Sequence, residues 1–199
     1  MTVVRSAGEV TALQSMNVDQ YRDLGLAVGL AEVLDGLDPA AAGPQGIAVL
    51  PVVSAPEGAR IVPNPIVARE GLSIVQYLTP GTGGGLTGHR AAALAEVRLG
   101  LLARMLDLAV ERLSGRTFAG VPLIDHQLVA GAVANVLTDL DLLAATQYDD
   151  NTGADLHERV TEAGWTVTKL FGAEGYIADH PVRCLYVSAL VADIWIPRR

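Results

Sequence analysis

The chain has 199 residues, half of them hydrophobic and 18% charged, with a formal net charge of −8. That length suits one domain, or one domain with a small appendage, and the composition belongs to a chain that buries a core. An acidic balance with no Lys/Arg run to offset it argues against a phosphate-tracking surface, so nucleic acid is not an expected partner.

Cys184 is the single cysteine, which excludes an intrachain disulfide and fits a reducing compartment. Met1–Arg5 lack the charged-then-apolar layout of a signal peptide, and charged residues interrupt each apolar run, so no membrane span is expected. The sequence-based expectation is a soluble cytoplasmic protein. Mean hydropathy is high at +0.34 while aromatics are only 5%. Ala, Val and Leu therefore supply the apolar surface, as in closely packed helices, and part of that surface is expected to be hidden in an oligomer.

In chain order, residues 9–36 read as helical: Val10, Leu13, Val18, Tyr21, Leu24, Val28 and Leu30–Val33 recur at roughly helical spacing, and Gly36 is a stop. Asp38–Gln45 reads as a Pro/Gly linker. Ile47–Val53, Ile61–Val62 and Ser73–Leu78 are short β-branched runs, predicted as strands, and Pro51, Pro63 and Pro65 confine them to sheet edges. Gly81–Gly88 reads as a flexible linker. A phosphate cradle there is the weaker alternative, because neither the Walker A nor the dinucleotide spacing is present.

A long helix is predicted over 90–113, with Leu94, Val97, Leu101, Leu102, Met105, Leu108 and Ala109 as its stripe. A second covers 128–146, a third capped by Asp155 runs to about Phe171, and a fourth spans 182–195 behind Pro181. Asp149–Asp150 reads as a solvated loop. Short turns between these helices predict a four-helix bundle. The expected division is 1–88, an N-terminal helix plus a small β part and Gly-rich linker, and 89–199, the bundle.

Two motifs stand out. Arg116-Thr117-Phe118-Ala119-Gly120-Val121-Pro122-Leu123 ends the long helix and is closed by Gln127; Lys169-Leu170-Phe171-Gly172-Ala173-Glu174-Gly175-Tyr176 ends the third and precedes His180-Pro181-Val182. A guanidinium at a helix C-terminus offers a bidentate fork to a pyrophosphate. The plainer alternative is an Arg bonded to its own last carbonyls. Leu99-Gly100 and Asp107 precede the first motif, and Val62-Pro63 and Glu70-Gly71 lie further upstream.

From about Val62 to Trp195 this pattern resembles the acyl-CoA dehydrogenase family, chiefly its C-terminal helical domain. The resemblance implies a mainly α fold and FAD as cofactor. Arg116 would meet the FAD pyrophosphate, and the Lys169–Gly175 loop would lie along the adenine end of a neighbouring subunit's flavin. Arg116, Phe118, Gln127, Lys169, Gly172 and Gly175 are thus the implied cofactor-binding residues.

The sequence also departs from the family. Ala119 stands where an aromatic is usual, with Phe118 displaced by one; Lys169 replaces Gln, Ala173 a glycine and His180 a tyrosine. Cys184, Val187 and Ser188 occupy Arg-rich positions, and Ile196 stands where most members carry the catalytic Glu. Residues 1–88 contain none of the family's flavin-ring motifs. His89, His126, His157 and His180 lack metal-ligand spacing.

Two functions remain open on these residues. One is a flavin-linked oxidoreductase acting on an acyl thioester or related metabolite, its site completed by another chain. That chain would be either a second copy or a related acyl-CoA dehydrogenase-like partner. The other is a degenerate homologue without flavin redox activity, serving as a structural subunit or a non-redox small-molecule-binding bundle.

Overall fold

A computed structural model describes residues 18–43, 46–54, 59–78 and 83–197. Its frame is the helix Gly88–Ser114, hereafter α5, which packs against every other long helix. Before it come α1 (Val18–Tyr21), α2 (Leu26–Leu34), α3 (Pro39–Ala42) and α4 (Pro65–Ala68), with strands β1 (Ile47–Pro51), β2 (Arg60–Val62) and β3 (Leu72–Gln76). After it come a two-stranded ribbon, β4 (Thr117–Phe118) and β5 (Val121–Pro122), then α6 (Gln127–Ala145), α7 (Gly153–Leu170) and α8 (Arg183–Trp195). The expected mainly α architecture with a small β-containing N-terminal part is what the chain adopts.

Helix directions follow from who meets whom. Arg98, in the first half of α5, bonds His157, in the first half of α7, and Arg112, near the end of α5, pairs with Glu174 just beyond α7. Those two helices run the same way. The end of α8 meets the segment leading into α5, through Leu86 N–H donating to Trp195 O at 2.6 Å, so α8 runs against them. One hydrophobic core continues from Tyr21 to Ile196.

The sheet bears out the proline argument. Its order is β1-β3-β2, all antiparallel, with Ile47 opposite Gln76 and Arg60 opposite the same residue. β1, which ends in Pro51, and β2, which Pro63 follows, are the edges, and the centre, β3, has no proline, since proline cannot donate to a second neighbour. Trp195, fully buried, donates its indole N–H to Val49 O at 3.0 Å and so ties the sheet to α8.

Several expectations need correcting. Residues 9–17 lie outside the described segments. The remainder of the first expected helix is broken between α1 and α2, where Gly25 takes a φ of 78°, a left-handed conformation that stops a helix. Leu24 and Val28, assigned to its apolar stripe, are consequently exposed. The expected linker contains α3, because Asp38 caps it by accepting from Ala40 N–H at 3.0 Å and Pro39 fits its first turn. Asp155 lies inside the first turn of α7, whose cap position is Thr152.

Gly83–Thr87 is packed rather than loose. Leu86 is buried, and a Cβ on Gly85 would come within 2.4 Å of Trp195 O. Asp150 is more than a solvated loop residue. Its carboxylate accepts from Gly88 N–H at 2.7 Å, satisfying an orphan donor at the start of α5. Finally, α6 is long and apolar enough, by length and composition, to cross a bilayer, with a mean hydropathy of 1.6. Its charged residues, Asp139 and Asp141, sit near one end and leave the preceding apolar run intact.

Gly100 explains the Leu-Gly pair in α5. A Cβ there would come within 2.8 Å of the Tyr21 carbonyl carbon and 2.9 Å of Val18 O, both backbone atoms that cannot rotate away. The missing side chain is what lets α1 lie directly on α5. Gly100→Val is expected to lever α1 off and to cost about 1–3 kcal/mol, as overpacking does. Urea unfolding measures it, and an unchanged midpoint would show that α1 docks elsewhere.

Candidate functional site

The two ends of α5 carry different chemistry. By its 27 residues, the helix is about 40 Å long.

At the C-terminal end, Arg116 leads into the β4–β5 ribbon. Ala119 and Gly120 form its turn with φ of 52° and 82°, the pair of positive values a two-residue hairpin needs. Arg116 O accepts from Leu123 N–H at 2.7 Å, which closes the loop. The Arg116 side chain is exposed and forms no ion pair among the described residues. Phe118 is 69% exposed, its ring 6.0 Å from that of His126, and Gln127 is exposed at the first position of α6.

The Gly172–Tyr176 turn comes to the same end. Glu174 accepts from Arg112 at 2.6 Å, and this bond, with the charges of Arg112, Arg116 and His180, holds its carboxyl below the usual range. Gly172 turns the chain with a φ of 64°. Gly175 has no alternative, since a Cβ there would lie 2.3 Å from Thr168 O. Lys169 is exposed in the last turn of α7. Beside this turn lies a shallow cavity of about 180 Å³, bordered by Trp165, Gly175, Tyr176 and Tyr186. The first motif and the glycine turn therefore share one end of the bundle, while Phe118 has His126 as its ring neighbour.

The N-terminal half of α5 holds a buried polar cluster that sequence reasoning missed. Arg98 is 1% exposed. Its Nε donates to Ser188 Oγ at 3.0 Å, Nη1 to His157 Nδ1 and His157 O at 2.9 Å each, and Nη2 to Thr161 Oγ1 at 2.6 Å. Because a guanidinium only donates, Nδ1 must be the acceptor, and the His157 proton sits on Nε2, donating to Ala91 O at 3.2 Å. Burial works against the Arg98 charge and pulls its pKa down to about 9, opposed by Asp193. It stays charged at neutral pH. Burial first, and the Arg98 charge second, push His157 down to about 3.

A cavity of about 450 Å³ opens beside this cluster. Its wall includes His157, Thr161, Asp155, Glu158, Asp193 and Ile196.

Residues 84–196, more than half of the chain, match the family model described as acyl-CoA dehydrogenase, C-terminal domain. The chain belongs to the acyl-CoA dehydrogenase family. Among solved structures it is similar to FkbI, of methoxymalonyl extender-unit biosynthesis for the Fk520 polyketide, at 25% identity. That alignment covers 69% of this chain and 46% of FkbI with a TM-score of 0.47. It is also similar to a Mycobacterium smegmatis protein described as an acyl-CoA dehydrogenase, at 20% identity over 70% of this chain and 50% of that one, again with a TM-score of 0.47. The chain thus spans about half the length of the solved structures it matches. No curated protein matches it.

The family's divergent positions have physical reasons here. Cys184, Val187 and Ser188 face the core of α8, where an exposed arginine has no room, and Ser188 serves Arg98. Burial pushes the Cys184 thiol up to about 12, so it is not a nucleophile at neutral pH. His180 accepts from Val182 N–H at 3.2 Å and stands edge-on to Phe171, shaping the entry to α8. Ile196, at the usual Glu position, is buried against the larger cavity. Arg98 carried one readable signal, an arginine set among Leu94, Val97, Leu101 and Leu102.

His157 sets a pH dependence. Its folded pKa lies below the unfolded 6.5, so below pH 6.5 the unfolded chain binds a proton that the folded chain refuses. Stability then falls as pH drops, by up to about 1.4 kcal/mol per unit, until pH nears 3. At pH 5.5 the loss from this residue is expected to be about 1.4 kcal/mol relative to pH 7.5. Urea unfolding at both values should show it, and His157→Gln, which does not titrate, should lose that part of the slope. An equal slope in both proteins would mean that His157 takes up its proton as readily in the fold as in the unfolded chain.

Proposed function

We propose that this chain is a helical subunit of an acyl-CoA dehydrogenase-type flavin enzyme. In this reading it contributes Arg116 and the Lys169–Tyr176 segment to the diphosphate and adenine end of an FAD held mainly by another chain. The observation that carries the reading is the Arg116 guanidinium, exposed and without an ion pair among the described residues, at the same end of the bundle as the glycine turn. The residues present suit that half of the cofactor. Arg116 offers a charge-assisted fork, Gly175 keeps the turn close to Thr168, and Trp165, Tyr176 and Tyr186 offer flat faces for a planar base.

Completion across an interface is supported by distance. The cavity wall reaches Thr161, which Arg98 bonds, and so comes no nearer to Arg116 along α5 than roughly 27 Å. A five-carbon ribityl chain does not span that length, so a flavin anchored at Arg116 does not face this chain's own Ile196. Bound FAD supplies the hydride-accepting chemistry. Ile196 cannot take a proton. If an acyl thioester enters the larger cavity, Asp193 is the better-placed carboxylate, because it lines that wall whereas Glu174 stands towards the other end of α5 beside Arg112.

FAD titration followed by flavin fluorescence tests the reading. Saturable binding is expected, and Arg116→Ala should weaken it by about 1.5–3 kcal/mol, the worth of a hydrogen-bonded charged contact. Binding that ignores Arg116 would remove the cofactor role. The degenerate alternative draws support from Ile196 and from the lack of the family's flavin-ring motifs in residues 1–88, and it predicts no saturable flavin binding.

An oligomer is part of the same proposal. α6 leaves Leu128 89% exposed and Leu137 and Leu142 half exposed, with Ala130, Gly131 and Ala134 also accessible, so two such helices can approach closely. The partner is a second copy or a related acyl-CoA dehydrogenase-like chain. For the copy, sedimentation at micromolar concentration should return at least a dimer, and the double change Leu128→Glu, Leu142→Glu should return a folded monomer. A wild-type monomer of 20.8 kDa would sink the self-association.

A further inference from the structure

Glu174 stands in the glycine turn, and its charge is the wrong one for an anion site. Its carboxylate lies 2.6 Å from the Arg112 guanidinium, and Arg116 and His180 are close enough to act on the same carboxyl. A salt bridge this exposed, with 46% of the Glu174 side chain and 23% of Arg112 open to solvent, adds little to folding. Its weight falls instead on what else approaches those cations.

Resting on the cofactor reading above, we propose that Glu174 is an internal counter-ion that occupies the anion site formed by Arg112 and Arg116. It sets how strongly this end of the bundle takes a diphosphate. The site is then specificity-tuned. A diphosphate arriving at Arg116 meets a fixed carboxylate and must draw Arg112 away from it or accept its repulsion. A neutral ligand meets no such cost. The turn can host the carboxylate because Gly172 and Gly175 set its backbone, one with a positive φ and one pressed on Thr168 O. Position 174 is thus held where its side chain reaches α5.

The substitution that isolates the charge is Glu174→Gln, whose amide oxygen can still accept from Arg112. Calorimetry of the full chain with inorganic pyrophosphate, FAD and adenosine, at low and high salt, is the test. Glu174→Gln is expected to bind pyrophosphate about tenfold more tightly than the wild type at low salt, because one fixed negative charge has left the site. That gain should shrink severalfold at high salt as screening sets in, and adenosine binding should be unchanged. Arg116→Ala in the Glu174→Gln background should abolish the gain.

Pyrophosphate binding that is equal or weaker in Glu174→Gln overturns the inference. So does an equal gain for adenosine, which would mean that the turn has merely relaxed. The cofactor reading fails separately. Should Glu174→Gln gain pyrophosphate affinity while neither protein binds FAD, Glu174 is the counter-ion and the flavin assignment is wrong. Should the wild type bind FAD through Arg116 with no gain in the variant, the flavin reading stands and the counter-ion does not. Absence of all binding by both proteins overturns both.

Discussion

A guanidinium sealed among three helices is the constraint on which the bundle turns. Arg98 of α5 donates to Ser188 of α8 and to His157 and Thr161 of α7, and His157 passes the chain of bonds back to Ala91 of α5. An unpaired buried charge would cost several kcal/mol, so each of these acceptors is needed where it stands. Apolar contacts between Leu, Val and Ala surfaces tolerate sliding by a residue. A planar donor fork with four acceptors does not, and it fixes the rotation and height of α7 and α8 about α5. The same arrangement decides that His157 is neutral and carries its proton on Nε2, which takes it out of consideration as a proton-transfer residue.

That layer divides the molecule chemically. On its side of the bundle are the larger cavity, Ile196, Asp193 and the packed Gly83–Thr87 segment. Roughly 21–27 Å further along α5 are Arg112, Arg116 and the glycine turn. Arg116 and the glycine turn stand at one end, and towards the other the carboxylates Asp155, Glu158 and Asp193 line a cavity whose wall at position 196 is a buried isoleucine.

Small residues fill the role that aromatic residues have in other cores. Gly100 admits the α1 backbone, Gly85 admits the carbonyl at the end of α8, and Gly175 admits Thr168 O. At each, a single Cβ would meet backbone, so the cost of filling the space falls on the fold rather than on a side chain that can rotate. With aromatics at only 5% of the chain, stability comes from close approach of helix axes, and Trp195 is the exception that joins bundle to sheet.

Periodicity alone located the four long helices to within two or three residues, because each buries a continuous apolar stripe that no other structure would satisfy. The prolines at 51 and 63 named the edge strands, since the missing N–H is a local covalent fact. The Arg116 and glycine-turn motifs were legible as residues and as members of a family. Their meeting at one end of the bundle was not, because it depends on α5 and α7 running the same way. Likewise Asp150 read as a solvated loop residue although Gly88 N–H lies against it, and Gly83–Thr87 as loose although Trp195 O holds it. Arg98, His157, Thr161 and Ser188 lie up to 90 positions apart, and nothing in their spacing links them. Local patterns in the chain were enough for the elements, the sheet edges and the family. Which charges are buried, which carboxylate answers which arginine, and whether Asp193 or Glu174 lines the larger cavity were decided in three dimensions, because they depend on distances that chain order does not encode.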